Sequence, residues 1–539
     1  MRTFWFIFFG WLVCVNWQAK AAPPTLSHFF PSGGMRGNIV DVTASGKFSH
    51  WPAKIRVDRS GLTFETAEAS GKLKVAIDKE ADAGVYWIRM YDEEGAAKLC
   101  PFVVGTLPEL VETEPNDNLD NTQLIEGNAV INGRFAKSGE VDVFTVKLRK
   151  DQMLVASMDA SRSLGSPMDA VLQVCDAKGF VIAQNDDSYG TDPLIVFRAL
   201  QDGLYMVRGF AFPATPNSTI NFAGGENFIY RLTLTTGGFV DHVMPMTLNE
   251  ETTEVRLFGW NIPDELSNVA MLANHDREFT AVFHPLLANC LALPASPHRV
   301  TVANASSSPA EPQPIDLPAK ITGRIESASD VDTFAFSGKK GQKLSFRAEA
   351  DSLGYQLDPV LRLADATGKL IKEVDDVSKR RDPDFVQAIP ADGHYTISIN
   401  DINNAGGFRY VYRLTIEEAK PDFALLLTAD SFVLTPGELH EVPIAIERKN
   451  GFSEEIEITL EGLPEHVKVK SVKSLAKGTS AKKVTLKLSS DNGPFSGPFQ
   501  IVGKSSGDDN VVKKARFDAG ALSVSFTDAW LTVLKPDDK

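Results

Sequence analysis

Two stretches of this chain are the same stretch written twice. INGRFAKSGEVDVFTVKLRKDQMLVASMDA from Ile131 aligns without a gap with ITGRIESASDVDTFAFSGKKGQKLSFRAEA from Ile321, so Gly133 and Gly323, like Asp142 and Asp332, stand 190 residues apart. Further on, MDAVLQVCDAKGFVIAQNDD matches LDPVLRLADATGKLIKEVDD, LQDGLYMVRG matches PADGHYTISI, and FIYRLTLT matches YVYRLTIE. A unit this long is a whole domain, not one turn of a solenoid.

Within each copy the apolar residues recur with period two. Phe144, Val146 and Leu148 alternate with Val143, Thr145 and Lys147, and Phe334 and Phe336 do the same in the second copy. Turns fall at short, regular intervals in DAKGF, DATGK, QDGLY and ADGHY. Short alternating strands broken by Asp/Gly turns specify an antiparallel sandwich with one face of each sheet in the core. The flanks read as β too, so the fold class is all-β: a multidomain string of antiparallel β-sandwiches. In the C-terminal part, Val442, Ile444 and Ile446 alternate, Asn450-Gly451 follows, and Ile456, Ile458 and Leu460 alternate again, which predicts a hairpin. The Pro-rich stretch ANASSSPAEPQP, from Ala303, reads as a linker.

The chain has 539 residues, too many for one core. Its 55 Lys+Arg against 70 Asp+Glu give a formal charge of −15, which disfavours a nucleic-acid partner. MRTFWFIFFGWLVCVNWQAKAAPP reads as a secretory signal peptide cleaved after Ala21, with no membrane span expected in the mature chain. The expected location is therefore outside the cytoplasm: periplasm, cell surface or medium. Cys100, Cys175 and Cys290 are widely spaced among apolar neighbours and read as buried small hydrophobes, not as a disulfide framework.

The repeat resembles the bacterial pre-peptidase C-terminal (PPC) domain, a sandwich appended to secreted peptidases. The likeness is carried by ETEPNDN before the first strand, Gly133 to Phe135, EVDVF at 140–144, DAKG at 176–179, Asn185-Asp186-Asp187 and DGLYMV at 202–207. The second copy echoes it in GRI, DVDTF, DATG, Asp375-Asp376 and DGHYTI. The flanks are similar to Ig-like modules, the first of IPT/TIG type. The resulting layout is signal peptide 1–21, Ig-like 22–108, PPC 109–236, Ig-like 237–302, linker 303–311, PPC 312–418 and Ig-like 419–539.

The resemblance implies calcium ligands in the acidic arm and in the aspartate that enters the next strand. Carried over residue by residue these are Glu112, Glu114, Asn116, Asp117 and Asp142, with Glu140 as an extra. The chemistry stands on its own feet as well. Calcium takes six to eight hard oxygens in a forgiving geometry, and an extended arm presents Glu112, Glu114 and Asn116 on one side. The second copy keeps Asp330 and Asp332 but has Asn304 and Ser307 where the first has Glu114 and Asp117. Calcium is therefore expected at the first copy only.

Among the common catalytic motifs, the sequence has no H-E-x-x-H, no C-x-x-C and no P-loop. His242, His275, His284 and His298 share one region without ligand spacing, and Asp186-Asp187 and Asp375-Asp376 occupy matching loops suited to turn formation. Tyr189, Tyr205, Tyr355 and Tyr395 are candidate exposed aromatics, the DG-x-Y pair Tyr205 and Tyr395 being better suited to a core. The expectation is a non-catalytic binding or adhesion protein for an extracellular protein or polysaccharide. Its rivals are an accessory or targeting subunit of a separately encoded secreted peptidase, and a hydrolase with an unrecognised site.

Overall fold

Period-two alternation puts every second side chain on one face, and sheets so patterned are stable only when two apolar faces close on each other. The computed structural model shows this outcome in the first sandwich, in both repeats and in the C-terminal sandwich. It describes residues 22–536 apart from 216–220, 272–278, 379, 508–509, 520–521 and 523. The proposed leader, with Cys14, and His275 lie outside the described residues. Among the described residues, no helix is long and apolar enough to cross a membrane.

The first sandwich pairs Thr25–Phe30, Ile39–Lys47, Lys72–Ile77 and Leu62–Thr66 in one sheet, facing Gly33–Met35, Cys100–Gly105, Gly84–Tyr91 and Lys54–Val57 in the other. Phe29, Val75, Tyr86, Ile88 and Phe102 fill the space between, and Cys100 is buried beside them. The two repeats each contain two five-stranded sheets with the same strand order. In the first, Asp142–Leu148 lies between Gln123–Ile125 and Gly203–Pro213, while Ala129–Arg134 lies between Glu109–Val111 and Ile229–Thr235. In the second, Asp332–Gly338 and Ala319–Arg324 take those places.

The sequence suggested purely antiparallel sheets, and both repeats depart from that in the same way. The segment entering each repeat adds a short parallel edge strand to both sheets. Glu109–Val111 pairs with Ala129–Arg134 and Gln123–Ile125 with Asp142–Leu148, and Val300–Val302 and Gln313–Pro314 do likewise in the second repeat. The residues in between must therefore cross from one sheet to the other. That crossing includes the acidic stretch 112–121 in the first repeat and the stretch 303–312 in the second. The latter is thus docked and not a free linker: Ser307 is 3% exposed.

Phe239–Met244, Glu254–Trp260 and Asn268–Ala270 form a three-stranded sheet and Phe279–Val282 and Leu291–Pro294 a two-stranded one, around Val243, Val255 and Leu287. The C-terminal sandwich corrects the hairpin expectation. Asn450 and Gly451 have the expected positive φ of 53° and 84°. Yet His440–Lys449 pairs with Lys483–Ser490, whereas Ile456–Glu461 pairs with Phe495–Ser505 in the opposite sheet. The six residues after Lys449 let the chain cross the core instead of folding back, with Phe452 buried on the way.

The first and last sandwiches also meet. Arg89 lies 3.0 Å from Asp430, Trp87 packs edge-on against Phe526 with centroids 5.0 Å apart, and Tyr91 lies 4.6 Å from Trp530. A second junction forms around buried Asp241. Its Oδ1 accepts from the Tyr189 hydroxyl (2.7 Å) and Arg409 Nε (2.8 Å), and its Oδ2 lies 2.8 Å from His242 Nδ1. Tyr355 donates to its backbone carbonyl at 3.3 Å. Tyr189 and Tyr355 therefore join parts of the chain rather than forming an outer binding face. Tyr205 and Tyr395 are core residues whose hydroxyls close equivalent turns on the carbonyls of Gln201 and Ala391.

Candidate metal centre

The arm of the first repeat is drawn onto the sheet residue by residue. Glu112 N donates to the Asn132 carbonyl, and Val143 N donates to the Asn116 carbonyl at 2.8 Å. Between these anchors the alternating side chains of Glu112 and Glu114 converge on Asp142, the first residue of its strand. One ligand atom from each of the three lies within 4.8 Å of the others. Among the described residues, no other group of three His, Cys, Asp or Glu side chains comes together this way.

Protein groups satisfy only part of this cluster. Glu112 Oε1 accepts from Arg134 N (2.8 Å), and Glu112 Oε2 accepts from the Tyr230 hydroxyl (3.1 Å). The same hydroxyl donates to Asp142 Oδ2, and Glu114 Oε2 accepts from Asn116 N at 3.1 Å. Asp142 Oδ1 is buried with no hydrogen-bond partner, and so are both side-chain amide atoms of Asn116, a residue with no exposed surface. Burial, followed by the charge of Glu112, pushes the Asp142 carboxyl up to about 9. Burial pushes Glu112 up to about 7, and Glu114 adds to the effect. Orphaned buried oxygens and crowded carboxylates are costly without a counter-charge. Hard oxygen donors of this kind fit calcium. Glu112, Glu114, Asn116 and Asp142 are the residues that would hold it.

Two of the expected ligands stand apart. Asp117 is exposed and takes no part in the cluster. The arm is not a strand here: it bends at Glu114 and again at Asp117, so Asp117 faces solvent once the Asn116 carbonyl has docked on Val143 N. Glu140 is buried but committed elsewhere: Oε2 accepts from Lys137 N at 2.9 Å, and Oε1 lies 3.6 Å from Lys137 Nζ. It acts on Asp142 only through its charge.

Sequence reasoning missed Tyr230, although the repeat displayed it. Tyr412 donates to Asp332 Oδ2 at 2.6 Å in the second copy, so the matched tyrosine and aspartate belong together. The matched glycines follow from that pair. A Cβ on Gly133 would lie 2.2 Å from the Tyr230 hydroxyl, and one on Gly323 would lie 2.2 Å from that of Tyr412. Each tyrosine crosses its glycine to reach the aspartate.

Among the described residues, the candidate histidines join no cluster of ligands. His242 is fully buried and stacked on Phe258 at 4.8 Å, His284 Nδ1 accepts from Leu286 N, and His298 lies 3.7 Å from Glu417.

Known proteins offer partial likenesses. No family profile matches the chain. A Deinococcus radiodurans protein named as a probable subtilase-type serine protease is 30% identical over 96 residues, which are 17% of this chain and 13% of that protein. The chain thus spans a small part of that relative's length. Among solved structures, the pre-peptidase C-terminal domain of a Bacillus anthracis collagenase is 13% identical, covering 20% of this chain and 93% of that domain, with a TM-score of 0.16. A Bacteroides ovatus protein, SGBP-B of a mixed-linkage glucan utilization locus, solved with a heptasaccharide, is 10% identical. It covers 72% of this chain and 73% of its own, with a TM-score of 0.13.

Proposed function

We propose that this is an exported, non-catalytic binding or adhesion protein whose first repeat is stiffened by calcium. The observation that carries the cation is the convergence of Glu112, Glu114 and Asp142 beside the partnerless Asn116 amide and Asp142 Oδ1. A bound ion neutralises the crowded carboxylates and fixes the crossing arm across the edges of both sheets. Affinity on the order of 10⁻⁴–10⁻³ M suits an extracellular module. The ligand class is an extracellular protein or polysaccharide.

A second reading, an accessory subunit that targets a separately encoded secreted peptidase, draws on the short match to the subtilase-type protein. The test joins two measurements on the purified protein: melting temperature with and without millimolar calcium, and casein hydrolysis. A calcium-dependent rise that is lost in Glu114→Gln, with no turnover, is the expected result. Turnover that tracks the protein through purification overturns the non-catalytic reading, and an unchanged melting temperature overturns the cation.

A further inference from the structure

In each repeat the outermost strand of one sheet is paired along one side only. In the first repeat this strand is Val181–Asn185, beside Met168–Cys175, and in the second it is Leu370–Val374, beside Pro359–Asp365. A free strand edge is a template on which another chain can pair, and folded proteins usually guard it with charge, lysine above all.

The two copies guard it unequally. DATGKLIKEVDD sets Lys369, Lys372 and Glu373 along the second edge, where DAKGFVIAQNDD has Phe180, Ala183 and Gln184. From Phe180 to Asn185 the first edge carries no charge. Phe180, Val181 and Ile182 are 68%, 44% and 41% exposed, and among the described residues no other three consecutive large apolar side chains lie open in this way. Leu119 of the crossing arm, also exposed, extends the patch: a Cβ on Gly179 would lie 2.5 Å from its Cδ1. Three such side chains in a row on a surface mark a contact. At the far end of the strand stand Asp186 and Asp187, exposed and with no ion pair among the described residues.

A polypeptide matches these features together. Its backbone offers donors and acceptors at the spacing of the strand edge, and its alternate side chains can cover the apolar run. A lysine or arginine at one end would answer Asp186 and Asp187. A polysaccharide would bring hydroxyls to the apolar run, where they lose water without gaining a partner. We propose that Val181–Asn185 takes up an extended segment of a partner protein as an added strand, apolar at alternate positions and basic at the end beside Asp186-Asp187. The inference rests on the reading of the chain as a binding protein and selects protein over polysaccharide as its ligand. It is independent of the cation.

The test is hydrogen exchange on the purified protein with a panel of nine-residue peptides that alternate Val, Ile or Phe with Thr and carry a lysine at one end. At least one should slow exchange of the amides in 181–185 and leave those in 370–374 unchanged. Two analogues of that peptide, N-methylated at odd or at even residues, keep every side chain. The one that loses the donors facing the edge should bind at least about tenfold more weakly than the other. Phe180→Lys, which installs the residue of the second copy, and Ile182→Lys should each weaken binding about tenfold. The melting temperature should hold in both, since both side chains are exposed. No protection by any peptide, equal protection of 370–374, or indifference to which residues are methylated overturns the proposal. Protection of 181–185 that grows with protein concentration in the absence of peptide also overturns it, because the edge is then closed by a second copy. None of these results touches the binding reading, which turnover in the purified protein would remove.

Discussion

The two repeats solve one problem with different chemistry. Each must fix a chain segment that crosses from the edge of one sheet to the edge of the other. In the second repeat a serine does it. Ser307 Oγ donates to the Thr333 carbonyl and accepts from Thr333 N, both at 2.8 Å, in the interior. In the first repeat the neighbouring backbone contact survives, Val143 N to the Asn116 carbonyl, but the side chains above it are acids facing one another. One crossing is closed by its own hydroxyl, and in the function we propose the other is closed by a cation. Duplication keeps the scaffold of Gly, Asp and Tyr, while the means of attachment is free to diverge.

The largest effect should come from what the repeats share. Gly133→Ala and Gly323→Ala each drive a methyl into the tyrosine that holds the strand-entry aspartate. Each should lower stability by roughly 2–5 kcal/mol in chemical denaturation, from overpacking plus a lost hydrogen bond to a buried carboxyl. A small loss at either glycine would break the claim of a common scaffold.

The next substitutions should split the repeats. Ser307→Ala leaves Thr333 N buried and unpaired and should cost about 1–3 kcal/mol, with no rescue by calcium. Asp142→Asn should act in the opposite sense without calcium, raising the melting temperature at pH 8 because it removes a carboxylate that burial opposes, and it should abolish the calcium response. Loss of stability in both would mean that the first crossing, like the second, is held by protein contacts alone.

The pH dependence sharpens the same contrast. Folded Glu112 and Asp142 titrate near 7 and 9, whereas the unfolded chain releases these protons near pH 4. Over that interval the folded state holds more protons, so stability without calcium falls as pH rises from about 4 to about 9. Asp332, raised by burial to about 7, gives the same sign over a narrower window. Saturating calcium should remove the part of the slope due to the first repeat and leave that of the second, as melting curves across the pH range would show. The smallest effect is expected of Asp117→Asn, which should change neither stability nor calcium response by more than about 0.5 kcal/mol, as for an exposed side chain off such features.

Much of this was legible in the residues. Alternation and turn spacing define the sandwiches, and the repeat marks Gly133, Asp142 and Tyr230 by their second appearance. The acidic arm was legible as a ligand source, but the bends at Glu114 and Asp117 that turn Asp117 to solvent follow no period that the sequence displays. Ser307 was hidden because one hydroxyl among SSS carries no pattern, and its role exists only through a strand 26 residues later. The Asn450-Gly451 turn was read correctly as a turn, but its destination depends on which sheet the next strand joins. Pairing of Arg89 with Asp430 is a contact across most of the chain, for which local sequence offers no signal.

The most direct measurement is the stoichiometry of calcium binding by calorimetry on the protein and on Glu114→Gln. One site per chain, absent from the variant, is the predicted result. Two sites, none, or one that persists in Glu114→Gln would contradict the account.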